Sequence, residues 1–86
     1  MQETDDPELF AKIFREKLVH QFGDIPEVDI VVAGETKGMF GGFRLPDDAD
    51  EYLAYYEALY VLFPNASVLR NLESAREDVR KAKAEG

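Results

Sequence analysis

Few side chains in this sequence could do chemistry, and its only histidine is the first to consider. General acid–base catalysis by His20 would need a nucleophile or a second titratable group beside it, and the sequence indicates neither. On a helical wheel, His20 lies at the edge of an apolar arc, beside Lys17. The chain has no cysteine, which excludes thiol catalysis, zinc–thiolate sites and disulfides. We therefore interpret His20 as a boundary residue of a helix and predict no catalytic residue.

The second candidate is the segment 34–38, which begins and ends with glycine, contains Lys37 and follows the apolar residues 31–33. A phosphate-binding loop of this kind ends in Gly-Lys-Ser/Thr and opens directly into a helix, whose first amides face the phosphates. Here Gly38 and Met39 follow the lysine, and the next residues are typical of a strand. The segment is therefore interpreted as a turn, and no cofactor-binding residue is predicted.

The third candidate is the acidic run 47–51, which could bind Mg²⁺ or Ca²⁺. An EF-hand loop needs spaced acids, a central glycine and a terminal glutamate, and this run lacks that pattern. Acids in the first turn of a helix complement its dipole, and Asp48 with Glu51 has capping-box spacing. We predict no metal site and keep the four acids as candidate contacts to a protein partner: Asp47, Asp48, Asp50 and Glu51.

The net charge of the chain limits the kinds of molecule that it is expected to bind. The net charge is −8, and residues 23–64 carry nine acids against Lys37 and Arg44. A field of this sign opposes binding to nucleic acid and to anionic lipid, and it favours a basic partner or simply keeps the chain soluble. The acidic residues 1–6 lack the apolar core of a signal peptide, and no apolar stretch is long enough to span a membrane, so the expected location is the cytoplasm.

The elements that position these residues are predicted as one domain. Asp6-Pro7 marks a helix start and Gly23 a helix stop, while Pro64 separates two further helices. The predicted fold class is α+β, in the order helix–β-hairpin–helix–helix (αββαα), with the helices packed on a two-stranded antiparallel sheet. Its segments are a flexible N-terminus 1–6, a helix 7–22, a β-hairpin 28–45, a helix 48–63 and a helix 66–84.

The hairpin prediction rests on residues 28–33, which are rich in β-branched side chains and too short for a helix. The turn 34–38 would lead into a returning strand 39–45, in which residues 39, 43 and 45 share a face. The pair Gly41-Gly42 would weaken that strand and indicates a bulge or a close approach of another backbone.

The helix 48–63 is the most informative segment, because apolar residues cover most of its circumference. Such a helix is either central and covered on two sides, or it uses one side to bind a partner. Tyrosine favours half-exposed sites and is enriched at interfaces, while Ala54 and Ala58 would let another helix approach closely. Its tyrosines are therefore candidate interaction residues: Tyr52, Tyr55, Tyr56 and Tyr60.

Residues 50–72 resemble a tetratricopeptide-type helical hairpin, with a tyrosine-bearing helix, then Phe63-Pro64-Asn65, then a second helix. The small and aromatic positions do not keep the register of about 34 residues that defines those repeats, and the sequence has no second repeat. The resemblance implies a shared helical-hairpin arrangement only, and we assign no family.

Three functions remain open from the sequence. The first is a small acidic, non-enzymatic protein-interaction module, such as a subunit, adaptor or regulator, whose partner could be a second copy of itself. The alternative is an acidic inhibitor or nucleic-acid mimic that binds a basic groove through the acids of the run 47–51. A small-ligand or enzymatic domain using residues 34–42 ranks third.

Overall fold

The computed structural model describes residues 6–85 and contains four helices. The helices follow one another along the chain: α1 (Pro7–Phe22), α2 (Pro26–Phe40), α3 (Ala49–Leu62) and α4 (Ala66–Glu85). Of the predicted flexible segment 1–6, residues 1–5 lie outside the described range. None of the helices in the described range is long and apolar enough to cross a membrane.

The ends of α1 follow from its sequence. The Asp6 carboxylate accepts hydrogen bonds from the backbone N of Glu8 and Leu9, at 3.0 and 3.3 Å. Gly23 has a φ of 92° and donates its N–H to the Val19 carbonyl at 2.8 Å, which closes the last turn. The helix therefore covers the same residues, 7–22, as the predicted one.

The predicted α+β fold is wrong, because the segment assigned to a β-hairpin contains α2 and no strand occurs among residues 6–85. Pro26 occupies the start of α2, where a proline has no hydrogen bond to lose, and Glu27 and Asp29 lie in the first turn near the positive end of the dipole. The predicted turn 34–38 lies inside the helix, and the predicted second strand contains its last residues and the connection to α3.

Burial along α2 shows why the β-branched residues form a helix. Val28, Val31 and Val32 are 0%, 1% and 7% exposed, while the neighbouring residues 29, 30 and 33 are exposed. This spacing of three and four is the period of a helix, whereas a strand would bury alternate residues. Packing three valines on neighbouring helices outweighs the modest preference of β-branched residues for strands.

The four helices pack in chain order, each against the next. The main core joins α1, α2 and α3, and the other contact joins α3 to α4. Helix α3 therefore lies between α2 and α4, which is the central position that the sequence left as one of two alternatives. The main core consists of Leu18, Val28, Val31, Val32, Ala58 and Leu62, and the residues that α4 buries are Leu72, Ala75 and Val79.

Gly34 sets how closely α2 approaches α3. It is buried, and a Cβ atom at this position would lie 2.9 Å from the Cβ and 2.5 Å from the Cγ of Tyr55. The first of these atoms is fixed to the α3 backbone, so it could not move away without moving the helix. The absence of a side chain at Gly34 therefore permits this packing distance.

We predict that Gly34→Ala destabilises the protein by about 1–3 kcal/mol, because overpacking of the α2–α3 contact outweighs the better helix propensity of alanine. Chemical denaturation in urea measures the change.

Gly38→Ala is the matched control for this substitution. Gly38 lies in the same helix, and a Cβ there would meet nothing within 4 Å. That variant is expected to gain about 0.4–1 kcal/mol by restricting the unfolded chain. Equal stabilisation by both substitutions would contradict the close packing at Gly34.

Candidate interaction surfaces

The connection 41–48 brings one aromatic ring onto α3. Gly42 has a φ of 82°, and the backbone N atoms of Gly41 and Gly42 both bond to the Lys37 carbonyl, at 2.9 and 2.5 Å. This turn directs Phe43 back over the N-terminal half of α3. Its ring centroid lies 5.3 Å from that of Tyr52 and 6.1 Å from that of Tyr55.

Four rings form an aromatic cluster at this junction: Phe43, Tyr52, Tyr55 and Tyr56. Tyr56 closes the ring of contacts, with its centroid 5.2 Å from Tyr52 and 5.0 Å from Tyr55. Offset and edge-to-face pairs at these distances stabilise aromatic packing beyond the area buried. The structure thus brings together three of the four tyrosines selected from the sequence, while Tyr60 lies half-buried outside the cluster.

Two tyrosines of the cluster have a raised pKa, which favours their neutral form. The Tyr55 hydroxyl donates a hydrogen bond to Glu35 Oε1 at 2.5 Å, which ties α3 to α2. Burial, followed by this bond and the Glu35 charge, raises the pKa of Tyr55 well above its usual range. Burial also raises the pKa of Tyr52, with smaller contributions from Tyr56 and from Asp78 of α4.

Lys37 forms ion pairs with two of the four acids that the sequence predicted as contacts to a partner. Its Nζ lies 3.2 Å from Asp48 Oδ1 and 2.7 Å from Glu51 Oε2. Asp48 also accepts a hydrogen bond from the backbone N of Arg44 at 2.9 Å. This bond, and next the contact with Lys37, lowers the pKa of Asp48. These two acids therefore hold the α2–α3 connection, although the Glu51 side chain stays 65% exposed, and Asp47 and Asp50 are exposed as well.

The first open surface is a groove along α2 and α3, which we call the α2–α3 groove. Small and aliphatic residues line most of it, in two adjoining cavities of about 290 and 260 Å³. Val61 and Ile30 are 58% and 38% exposed. The apolar lining is Ile30, Ala33, Gly34, Phe43, Ala54, Ala58 and Val61, and the charged lining is Glu27, Lys37, Glu51 and Glu57.

The second open surface, the aromatic cavity, has a volume of about 360 Å³ and shares only Gly34 and Phe43 with the α2–α3 groove. Three of its lining rings belong to the aromatic cluster, and one carboxylate lies beside them. Met39, which is 60% exposed, adds a polarisable thioether. The lining is Gly34, Glu35, Gly38, Met39, Phe43, Tyr55 and Tyr56.

The residues that α2 contributes to both surfaces were not among the site residues predicted from the sequence. A helical wheel of residues 26–40 places Ile30, Ala33 and Lys37 on one face, and Gly34 and Gly38 on another. The β-hairpin assignment distributed these residues over two strands and a turn, which concealed both faces. The spacing of Val28, Val31 and Val32, three and four residues apart, was the signal in the sequence that could have identified them.

Comparisons of this chain with protein-family models, with curated proteins and with solved structures find no match. The geometry of the two surfaces is therefore what indicates a function.

We predict that the Asp48 carboxylate, through its bond to the Arg44 backbone and its contact with Lys37, stabilises the protein at neutral pH and loses this contribution in acid. Because the folded-state pKa of Asp48 lies below its ordinary value of 3.8, its contribution is full above that value and disappears as the pH falls through the folded pKa. The stability difference between wild type and Asp48→Asn should therefore shrink as the pH is lowered below about 4. Urea denaturation at neutral and acidic pH measures it.

Asp47→Asn is the control for this experiment, since Asp47 is exposed and adjacent in sequence. A stability difference for Asp48→Asn that stays constant over the same pH range would contradict the assigned role of Asp48.

Proposed function

We propose that this chain is a small, non-enzymatic protein-interaction module, acting as a subunit, adaptor or regulator, that holds an amphipathic helix of a basic partner in the α2–α3 groove. The observation that carries the proposal is the pair of exposed aliphatic side chains, Ile30 and Val61, in the part of the groove whose other lining residues are alanines and glutamates. Exposed apolar surface rimmed by polar groups is typical of interaction sites.

The shape of the groove favours a helix as the occupant. Ala33, Ala54 and Ala58 leave little side chain between the two helix backbones, so a third helix could pack at the usual interaxial distance of about 8–10 Å from both. Strand addition is not supported, because it needs an open sheet edge and the described residues form helices whose backbone bonds are internal.

The charge of the groove favours a basic partner. Glu27 and Glu57 lie along it, while Lys37, its one basic lining residue, is paired with Asp48 and Glu51. A helix with an apolar stripe flanked by lysine or arginine would complement this surface, and charge complementarity accelerates association and excludes other partners. Two copies meeting through their grooves would bring like charges together, so this surface supports a different partner better than a homodimer.

The alternative of an acidic inhibitor or nucleic-acid mimic receives less support from the geometry. It requires the acids of the run 47–51 to be available to a partner, and two of these acids, Asp48 and Glu51, are engaged by Lys37. The mimic hypothesis predicts that reversing the charge of Asp47 and Asp50 abolishes binding. The groove hypothesis predicts a smaller effect there, because the apolar side chains of Ile30 and Val61 supply the anchor.

We predict that the double variant Ile30→Gln/Val61→Gln loses a partner that wild type retains. Removing both exposed anchors should reduce retention at least about tenfold, since central apolar residues dominate most interfaces. Affinity capture from native lysate with quantitative mass spectrometry measures retention. Cross-linking should then show that the segment of the retained protein in contact with the groove is a basic amphipathic helix.

Met39→Gln is the matched control, since Met39 is as exposed as Val61 and lines the aromatic cavity instead. It should retain the partner, and all variants should keep the thermal stability of wild type. Equal retention by the wild type and the double variant would contradict the proposal. So would a solution dimer that the double variant abolishes, because that would make a second copy the occupant.

A further inference from the structure

We infer that the aromatic cavity binds a methylated ammonium group. The geometry that carries this inference is that three aromatic rings and one carboxylate, Glu35, line the same opening. The rings belong to Phe43, Tyr55 and Tyr56. Because the cavity shares only Gly34 and Phe43 with the α2–α3 groove, the inference does not depend on the proposed function.

Aromatic rings attract cations through the negative potential of their faces, within about 6 Å of the ring centroid. One ring of this cavity already makes such a contact within the protein, since Lys37 Nζ lies 5.6 Å from the centroid of Phe43. Glu35 adds a full negative charge at the same opening. One of its two oxygens accepts the Tyr55 hydroxyl, which orients both side chains.

The dimensions of the cavity suit a compact cation. Its volume of about 360 Å³ exceeds that of a trimethylammonium group and leaves room for the chain that carries it. Gly34 and Gly38 provide a lining without side chains, and the space beyond Gly38 is open for at least 4 Å. The exposed thioether of Met39 can adapt to the shape of the ligand.

The chemistry of the walls selects methylated ammonium over a bare ammonium or a metal ion. A methylated group is weakly hydrated and donates few or no hydrogen bonds, so it loses little when it leaves water for aromatic walls. A primary ammonium or a metal ion would require several oxygen acceptors, and Glu35 is the one carboxylate among the lining residues. The same group occurs in small molecules related to choline and in methylated lysine side chains of proteins.

The test compares choline with 3,3-dimethylbutan-1-ol, which has the same shape and no charge, in NMR titrations of the full chain. Choline should bind at least about tenfold more tightly than the neutral analogue, with chemical-shift changes at residues 34–39, 43 and 55–56. A short peptide with trimethyl-lysine, compared with the unmethylated peptide, identifies the source. Tighter binding of the methylated peptide than of choline assigns a protein ligand, and the reverse assigns a small molecule.

Two variants locate the site while retaining its shape. Phe43→Leu removes one aromatic face, and Glu35→Gln removes the charge but keeps an acceptor for the Tyr55 hydroxyl; each should weaken choline binding several-fold. Phe40→Leu is the matched control, because Phe40 is an exposed aromatic residue outside the lining, and it should bind choline as wild type does.

Three results would overturn the inference. They are equal affinity of wild type for choline and the neutral analogue, no chemical-shift change at about 10 mM choline, and shifts that fall outside the aromatic cavity. All three need only the wild-type chain, so they stand even where a variant fails to fold.

Discussion

The close approach of α2 to α3 at Gly34 and Tyr55 is the contact on which the rest of the structure depends. It allows the α2 valines to reach the main core, and it sets the distance that the connection 41–48 must span. Phe43 and Lys37 lie near one end of this contact. The Phe43 ring packs on Tyr55, and the Lys37 ammonium pairs with Asp48. Residues of both helices line each open surface, so a wider separation of α2 and α3 would change the shape of both surfaces.

The same contact explains why two chemically different surfaces lie side by side. Gly34 and Phe43 line both of them, and the side chains beyond these residues decide the character of each. Toward Ala54, the lining is aliphatic with acids along it, which suits an apolar helix flanked by basic residues. Toward Tyr55, the lining is aromatic beside a carboxylate, which suits a compact cation. A net charge of −8 favours positively charged ligands at either surface.

The sequence predicted the helices whose ends carry local signals, and it failed where long-range packing decides. Asp6-Pro7 and Gly23 identify α1 because capping is a local interaction. In α2, the local preference of β-branched residues for strands is outweighed by burial against α1 and α3. The sequence of one segment does not show such contacts, because they involve residues far away along the chain. Three of the four tyrosines of α3 lie in one cluster, but Phe43, which contacts Tyr52 and Tyr55 there, had been assigned to a strand.

The central claim is that residues 26–40 form a helix packed on α3 through Gly34. Nuclear Overhauser contacts in the full chain test it most directly. We expect backbone contacts between residues three apart throughout 26–40, and contacts between the Gly34 Hα atoms and the Tyr55 ring. Contacts across a strand pair, joining residues 28–33 to residues 39–45, would contradict it.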